Sequence, residues 1–225
     1  MDLQNSGFIK ITIIVLIVLV LYLFFTSFIS SDGITGLLSA DTETSIDASK
    51  LKGDSLSTSY SIWIYVSDWT KKYDSEKIIF SRGDTLRVYL GKTENNVNIE
   101  LKDNNDVPFV CKVKNVPLQK WVNIITVVNG KTLDVYFNGK LVKTCLMNIT
   151  PAPVTTEPLK LTPAGGFAGY TTRLKFWNKP IDPQTAWNTY VKGNGQDSFL
   201  SNFFSQTKLK VALMDGESES SSFIF

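Results

Sequence analysis

Few side chains in this sequence are of a type that does chemistry, and their spacing narrows the choice further. Cys111 and Cys145 are its two cysteines. They either pair, if the chain folds in an oxidising compartment, or lie as two buried thiols on neighbouring strands. A bridge there would close about 35 residues and stabilise the fold by roughly 3–4 kcal/mol in the chain-entropy account. Trp69 and Tyr73 sit in a lysine-rich, loop-like stretch, DWTKKYDSEK. They are the aromatic residues most expected to be exposed, and an exposed ring beside planar polar groups makes a platform for a sugar. Trp63, Tyr65 and Tyr170 are further aromatic candidates, each expected to pack in the core or at an edge. Asn148-Ile149-Thr150 is an N-glycosylation sequon, and Pro151 after it lowers acceptance. Arg82-Gly83-Asp84 spells an integrin-type tripeptide, although Gly-Asp after a strand is also an ordinary turn.

Whole classes of chemistry are excluded by composition. Histidine is absent, which removes Ser-His-Asp and Cys-His catalysis and every His-ligated metal site. Two cysteines alone do not make a zinc site. Charged residues are 20% of the chain and the net charge is +2, which is no electrostatic footprint for nucleic acid.

The elements that must position these residues are mostly strands. Residues 59–66, SYSIWIYV, are rich in β-branched and aromatic types. Ile62, Ile64 and Val66 fall on one face and Trp63 and Tyr65 on the other, as in a strand covered on both sides. Further strands are predicted at 77–81, 85–90, 97–101, 108–113, 121–128, 132–137 and 140–145. Asn129-Gly130 and Asn138-Gly139 read as type I′ hairpin turns. Asp103-Asn104-Asn105-Asp106 and Asp215-Gly216 make two more turns, the second leading from 208–214 into a closing strand that ends at Phe225. Many short strands at this spacing predict an antiparallel sandwich. One short helix is predicted after Asp182, with Pro183 at its first position and Gly193 as its stop; Ala186, Trp187, Tyr190 and Val191 share its inward face.

The N-terminus is of another kind. Residues 11–29, ITIIVLIVLVLYLFFTSFI, carry no charge and would rise about 28 Å as a helix, against a bilayer core of roughly 30 Å. The run exceeds a signal-peptide core, and no small-x-small cleavage site follows closely, so a retained anchor is expected. Lys10 precedes it, and Asp32, Asp41, Glu43 and Asp47 follow before Lys50. The positive-inside rule then predicts a cytoplasmic N-terminus and a domain on the exterior or luminal side. The expected organisation is a cytoplasmic 1–10, a transmembrane anchor at 11–29, a juxtamembrane linker or irregular collar at 30–50, and a β-sandwich at 51–225.

The ordered motifs resemble the concanavalin A-like lectin/glucanase superfamily, in particular its laminin-G-like (LamG) jelly rolls. SYSIWIYV is similar to the opening strand, and KIIFSRGD to a strand and turn ending in a basic-Gly pair. VPLQKWVNIITVVNGKTLDVYFNGKLV resembles the family's most typical stretch, a Trp-led strand followed by a hairpin with Tyr-x-Asn-Gly. GGFAGYTTRLKFWNKPIDPQTAWNTYVKG is similar to its closing segment and short helix. The resemblance implies an all-β antiparallel jelly-roll sandwich with one short helix, here preceded by the transmembrane helix. Glucanase members need two carboxylates across the scissile bond. This chain has no E-x-D-x-E strand, only Glu100 in 97–101 and a lone Asp134, so no enzyme activity is expected. Calcium needs six to eight oxygens; the Asp103–Asp106 turn fails that pattern at Val107, so neither metal nor cofactor is expected. Together with the anchor, VPLQKWVNI and LDVYFNGKLVKTC resemble membrane-anchored LamG proteins of large DNA viruses. That implies a virion or minor capsid protein tethering a capsid shell to the inner membrane, with the bilayer and capsid proteins as partners. The alternatives are a glycan-binding, lectin-like surface module and a cellular membrane-anchored LamG protein of unknown ligand.

Overall fold

Strands dominate because β-branched and aromatic runs alternate with Gly and Asn turns, a pattern that suits a pleated, half-buried surface. The computed structural model describes residues 33–53, 55–153 and 156–195, together with 15–19, 22, 210–215 and 218–224. In chain order the elements are β1 (Leu38–Ser39), β2 (Thr44–Ile46), β3 (Ser59–Asp68), β4 (Lys77–Arg82), β5 (Leu86–Leu90), β6 (Asn96–Lys102) and β7 (Pro108–Lys114). β8 (Trp121–Asn129), β9 (Thr132–Phe137), β10 (Lys140–Leu146), β11 (Leu159–Leu161), β12 (Ala168–Trp177), α1 (Pro183–Val191), β13 (Lys210–Asp215) and β14 (Ser218–Ile224) follow.

Two antiparallel six-stranded sheets face each other. The first runs β1-β12-β3-β8-β9-β10 and the second β2-β11-β4-β5-β6-β7. Ile62, Ile64 and Val66 of β3 point into the space between them and meet Val88 and Ile99 of the second sheet, all essentially without solvent contact. Burying each such side chain contributes roughly 1.5–3 kcal/mol. Trp63 and Tyr65 project from the opposite side of β3, as the alternation predicts.

The stretch at 30–50, expected as a linker or collar, is corrected by the pairing: from Gly33 on it belongs to the sandwich. β1 pairs with β12 through Leu38↔Thr171, and β2 pairs with β11 through Ser45↔Lys160. Between β1 and β2 the chain crosses from one sheet to the other at Ala40, which is wholly buried. The Ala40 N–H donates to the Gly169 carbonyl at 2.9 Å, and its carbonyl accepts from Phe167 N at 3.0 Å. Strands of two and three residues carry too little pattern to announce themselves; only their partners define them. β11 escaped the sequence for the same reason.

On the opposite side, β7 and β10 are the free edges of the two sheets. There Cys111 and Cys145 form a disulfide with a Cα–Cα distance of 6.1 Å, resolving the choice between a bridge and two thiols. The sandwich is thus closed on one side by the β1–β2 crossover and on the other by a covalent bond.

The Asn138-Gly139 turn has both residues at positive φ, 50° and 73°, as a type I′ hairpin requires. The β8–β9 turn differs. Asn129 pairs with Thr132, so Gly130 and Lys131 are its central residues, and Gly130 alone has a positive φ, 57°.

α1 starts as expected: Asp182 Oδ1 accepts from Thr185 N at 2.8 Å and Pro183 occupies the first turn. Its roll differs from the expectation. Ala186 and Thr189 are buried, while Trp187 and Val191 are exposed. Small residues let the helix approach Ile125, Val127 and Tyr136 on the outer face of the first sheet. Trp63 then stacks on Tyr190 with centroids 5.7 Å apart.

β13 and β14 pair with each other as a separate two-stranded sheet, rather than as a closing strand of the sandwich; Phe225 lies outside the described residues. Residues 15–19 are helical. The remainder of the expected anchor apart from residue 22, and residues 1–10, lie outside the described residues. Among the described residues no helix is long and apolar enough to cross a membrane.

Surface carboxylates set the pH response. The Thr185 N–H at the helix cap holds Asp182 below its ordinary value, the Thr70 N–H does so for Asp68, and a bond from Lys112 does so for Glu94. Each contributes stability that is complete above the ordinary carboxylate pKa of about 4 and is lost as pH falls through its lowered value. Histidine is absent and both cysteines are paired, so no side chain with an ordinary pKa titrates near neutrality. Thermal unfolding followed by circular dichroism is therefore expected to give a level melting temperature between about pH 5 and 8 and a decline below about pH 4. A transition centred near pH 6.5 would contradict this assignment of the ionisable groups.

Candidate functional site

Strand alternation places Arg87 and Tyr89 of β5 and Asn96, Asn98 and Glu100 of β6 on the outer face of the second sheet. Their registers align: Tyr89 pairs with Asn98 and Arg87 with Glu100, and Asn98 pairs in turn with Lys112 of β7. Tyr89, Asn96, Asn98 and Lys112 line a cleft of about 350 Å³ that also takes in Glu76, Lys92 and Glu94. A second trough of about 360 Å³ adjoins it across β4 and β5, bounded by Ile78, Ser81, Asp84, Arg87, Glu157 and Lys160.

Hydrogen bonds hold the polar groups in place. Asn98 Nδ2 donates to Asn96 Oδ1 at 2.9 Å, and Asn96 Nδ2 donates to Glu94 Oε2 at 3.1 Å. Lys112 closes the chain on the same carboxylate. Arg87 bonds Glu76, lies 3.7 Å from Glu100 and stacks over the Tyr89 ring at 5.1 Å. Among the described residues its buried Nε has no hydrogen-bond partner, an unmet donor in the second trough on a side chain that also bonds Glu76 of the first. Burial, helped by the carboxylates of Glu100 and Glu76, raises the Tyr89 phenol above its ordinary value, so it stays a neutral donor at physiological pH.

Charge is balanced in both troughs. Glu76 and Glu94 face Lys92 and Lys112 in the first; Asp84 and Glu157 face Arg87 and Lys160 in the second. Such a surface offers donors and acceptors without a net field. It suits hydroxyl-rich, uncharged ligands better than phosphate or carboxylate.

The aromatic candidates lie elsewhere. Trp69 is half-buried and packs on the core, with its Nε1 buried and without a hydrogen-bond partner among the described residues. Its ring meets the Lys77 ammonium at 4.9 Å. Lys77 in turn donates to the Lys92 carbonyl at 3.0 Å, so Trp69 braces the wall of the cleft from behind instead of presenting a platform. Tyr73 is exposed between Lys72 and Asp74, both at positive φ, and forms no part of the cleft. Tyr65 lies in register with Tyr170 on β12 and Trp121 on β8, with centroids 6.5 Å and 5.6 Å away. The rings are tilted by 45° and 51°, so they interlock and do not form a flat stacking surface. Asn148 is exposed just beyond β10.

Other candidates are occupied. Asp134 accepts from the Thr144 hydroxyl at 2.5 Å. Asp103 Oδ1 accepts from Asn105 N and Val107 N at 2.8 and 2.9 Å, as in a self-capped turn. Arg82 of the Arg-Gly-Asp triplet is wholly buried, so the triplet is a strand end and turn with its cation inside the sandwich. The residues of the two troughs, Tyr89, Asn96 and Asn98 in the first and Arg87 in the second, were missed from the sequence. The available signal was the alternation in LRVYL and NVNIELK, which becomes a site only when the register brings the two polar rows together.

A profile of the family Laminin_G_3, of the concanavalin A-like lectin/glucanases superfamily, matches residues 38–162. The chain belongs to this family. The matched span starts at β1 and ends just past β11, so it covers all six strands of the second sheet and five of the first. This Laminin_G_3 domain also resembles solved structures. The botulinum neurotoxin serotype G binding domain superposes with a TM-score of 0.54 at 14% identity, over 72% of this chain and 47% of that one. The botulinum neurotoxin serotype D ligand binding domain, solved in complex with N-acetylneuraminic acid, gives 0.53 at 11% identity, over 70% and 46%. The receptor binding domain of the mosaic serotype C/D gives 0.55 at 13%, over 71% and 44%. The chain covers less than half the length of each, and at these identities the likeness extends to the fold alone. A search of curated proteins returns no match.

Proposed function

We propose that this Laminin_G_3 protein is a membrane-anchored, non-enzymatic binding protein that takes neutral glycans on the outer face of its second sheet. The observation that carries the reading is the pair of adjoining, charge-balanced troughs around Arg87, Tyr89 and Asn98. Hydroxyl groups of a sugar would accept from Arg87 and the Asn98 amide and donate to Glu76 and Glu94, while the Tyr89 ring packs on a sugar face. A sugar-bound neighbour of the same fold is compatible with this class of ligand, although its ligand is acidic and the troughs here carry no excess of positive charge.

Binding without hydrolysis is supported by how the carboxylates are used. Glu76 and Glu100 are both ion-paired with Arg87 and Glu94 with Lys112, an arrangement that sets them as hydrogen-bond acceptors and not as two opposed carboxylates across a scissile bond. The anchor rests on the uncharged run at 11–29, and its orientation on Lys10 and the acidic residues that follow. The shell-tethering role in a virion rests on sequence resemblance. Crosslinking on source particles tests it, by recovery of shell proteins.

The test of glycan binding is an array probed with the full chain in detergent. Reproducible binding to neutral oligosaccharides is expected, weakened about tenfold or more by Tyr89→Ala or Asn98→Ala at unchanged melting temperature, since one or two hydrogen bonds or ring contacts are lost. A blank array, or binding that survives both substitutions, would remove the cleft as the site.

A further inference from the structure

α1 carries no charged residue from Pro183 to Val191, and its roll leaves Trp187 and Val191 41% and 62% exposed. Beside it, β10 is the free edge of the first sheet and exposes Leu141 and Val142 at 52% and 44%. The two elements pack together: a Cβ at Gly139, one residue before β10, would lie 3.0 Å from the Trp187 ring. Apolar side chains from a helix and a strand edge therefore share one surface. Single exposed apolar residues are ordinary, but a contiguous group that includes a tryptophan marks a contact site. Lysines bracket the group. Lys140 precedes Leu141 and Lys192 follows Val191, both exposed, while Lys143 Nζ donates to the Lys112 carbonyl on β7 at 2.8 Å. The nearby acids are engaged: Asp134 by Thr144 and Asp182 by Thr185.

The entry of the chain into the sandwich indicates what covers this surface. Gly33 lies so close to Arg173 that a Cβ there would stand 2.8 Å from Arg173 Cα, and Arg173 N donates to the Thr35 carbonyl at 3.1 Å. The Arg173 guanidinium in turn donates to the carbonyls of Lys192 and Gly193 at 2.7 and 2.8 Å. One arginine thus ties the first residues of the sandwich to the C-terminal end of α1. In the sequence only residues 30–32 separate the apolar run from Gly33, a span of roughly 14 Å from residue 29 at full extension.

We infer that the α1–β10 face docks on the bilayer surface, with Trp187, Val191, Leu141 and Val142 among the upper acyl chains and Lys140 at anionic headgroups. The inference rests on the anchored reading of 11–29. Tryptophan favours the interfacial layer, and lysine stems lie along apolar surface while their ammonium groups reach phosphate. Such contacts are weak in isolation, but a short covalent tether makes them effectively intramolecular. The face orients the domain, and the glycan cleft on the other sheet is turned toward the medium.

The experiment places a bimane label at position 191 through Val191→Cys, with Tyr73→Cys on the distant β3–β4 loop as control. The full chain is reconstituted in vesicles of phosphatidylcholine, with or without roughly one third phosphatidylglycerol, and doxyl-labelled lipid serves as quencher. Quenching of the label at 191 by at least about twofold is expected in the anionic vesicles, with less in pure phosphatidylcholine, less after Lys140→Glu, and none at 73. A chain that resists carbonate extraction but whose label at 191 is unquenched overturns the docking and leaves the anchor standing. Release by carbonate overturns the anchor and the docking with it. Shielding of position 191 in detergent that grows with protein concentration assigns the face to a second copy and also overturns the proposal.

Discussion

Reduction of the Cys111–Cys145 bridge is expected to lower stability by about 4 kcal/mol, the loop-closure value for a separation of 34 residues. For a domain of this size that corresponds to a fall in melting temperature of roughly 8–16 °C. The bridge joins β7 to β10, the free edges of the two sheets. A further tie between those strands is the bond from Lys143 Nζ to the Lys112 carbonyl, at 2.8 Å. Without the covalent link the two edges can part, wetting Cys111 and Leu133, which are buried. The unpaired strands then become templates for aggregation. Thermal melts of the native protein, the reduced protein and the Cys111→Ser, Cys145→Ser double variant check the value. An unchanged midpoint would mean that core packing alone holds the edges together.

The second large effect is expected at Arg82. Its guanidinium is wholly buried and donates to the Tyr60 hydroxyl at 3.0 Å, the Leu51 carbonyl at 3.0 Å and the Glu157 carbonyl at 3.2 Å. It also lies over the Phe176 ring at 5.1 Å. Among the described residues no carboxylate pairs with it within 4.0 Å. The charge is held by oriented dipoles and a ring face, and three segments distant in sequence depend on one side chain. Arg82→Ala removes that junction, leaves buried acceptors unmet and opens a cavity, for a loss of about 3–5 kcal/mol. Arg82→Lys is expected to recover little, because an ammonium cannot reproduce the planar fork. Asp84→Glu, in the same triplet but exposed, is expected to leave stability unchanged. Denaturant titration of the three variants separates these outcomes. A neutral Arg82→Ala would show that the segments at 51 and 157 are held by other contacts.

The long strands were legible because their patterns are local. SYSIWIYV alternates between two apolar faces, and β3 buries Ile62, Ile64 and Val66 on one side while Trp63 and Tyr65 project from the other. Asn138-Gly139 required two positive φ values and has them. Asp182-Pro183 required a helix cap and forms one. The roll of α1 was not legible, because Ala186 and Thr189 come close to the sheet only where Gly139 and Trp63 leave the space and the stacking partner. Nor was the cleft, whose residues come from strands joined by turns and whose polar character resembles that of any solvated face. Trp69 was expected to be exposed from its lysine-rich neighbours, yet the chain folds it back under the Lys77 ammonium.

By itself the sequence determined which chemistries were open, and it specified a β-sandwich of the laminin-G-like kind. A missing residue type excludes its reactions whatever the fold, and hydrophobic alternation with turn residues acts over a few neighbouring positions. Only the tertiary structure decided that residues 33–53 belong to the sandwich, that Cys111 meets Cys145 and that Arg82 lies inside. It alone set Arg87, Tyr89 and Asn98 side by side. Each of these depends on strand register and on contacts between residues far apart in sequence, where a shift of one position would turn every side chain to the other face.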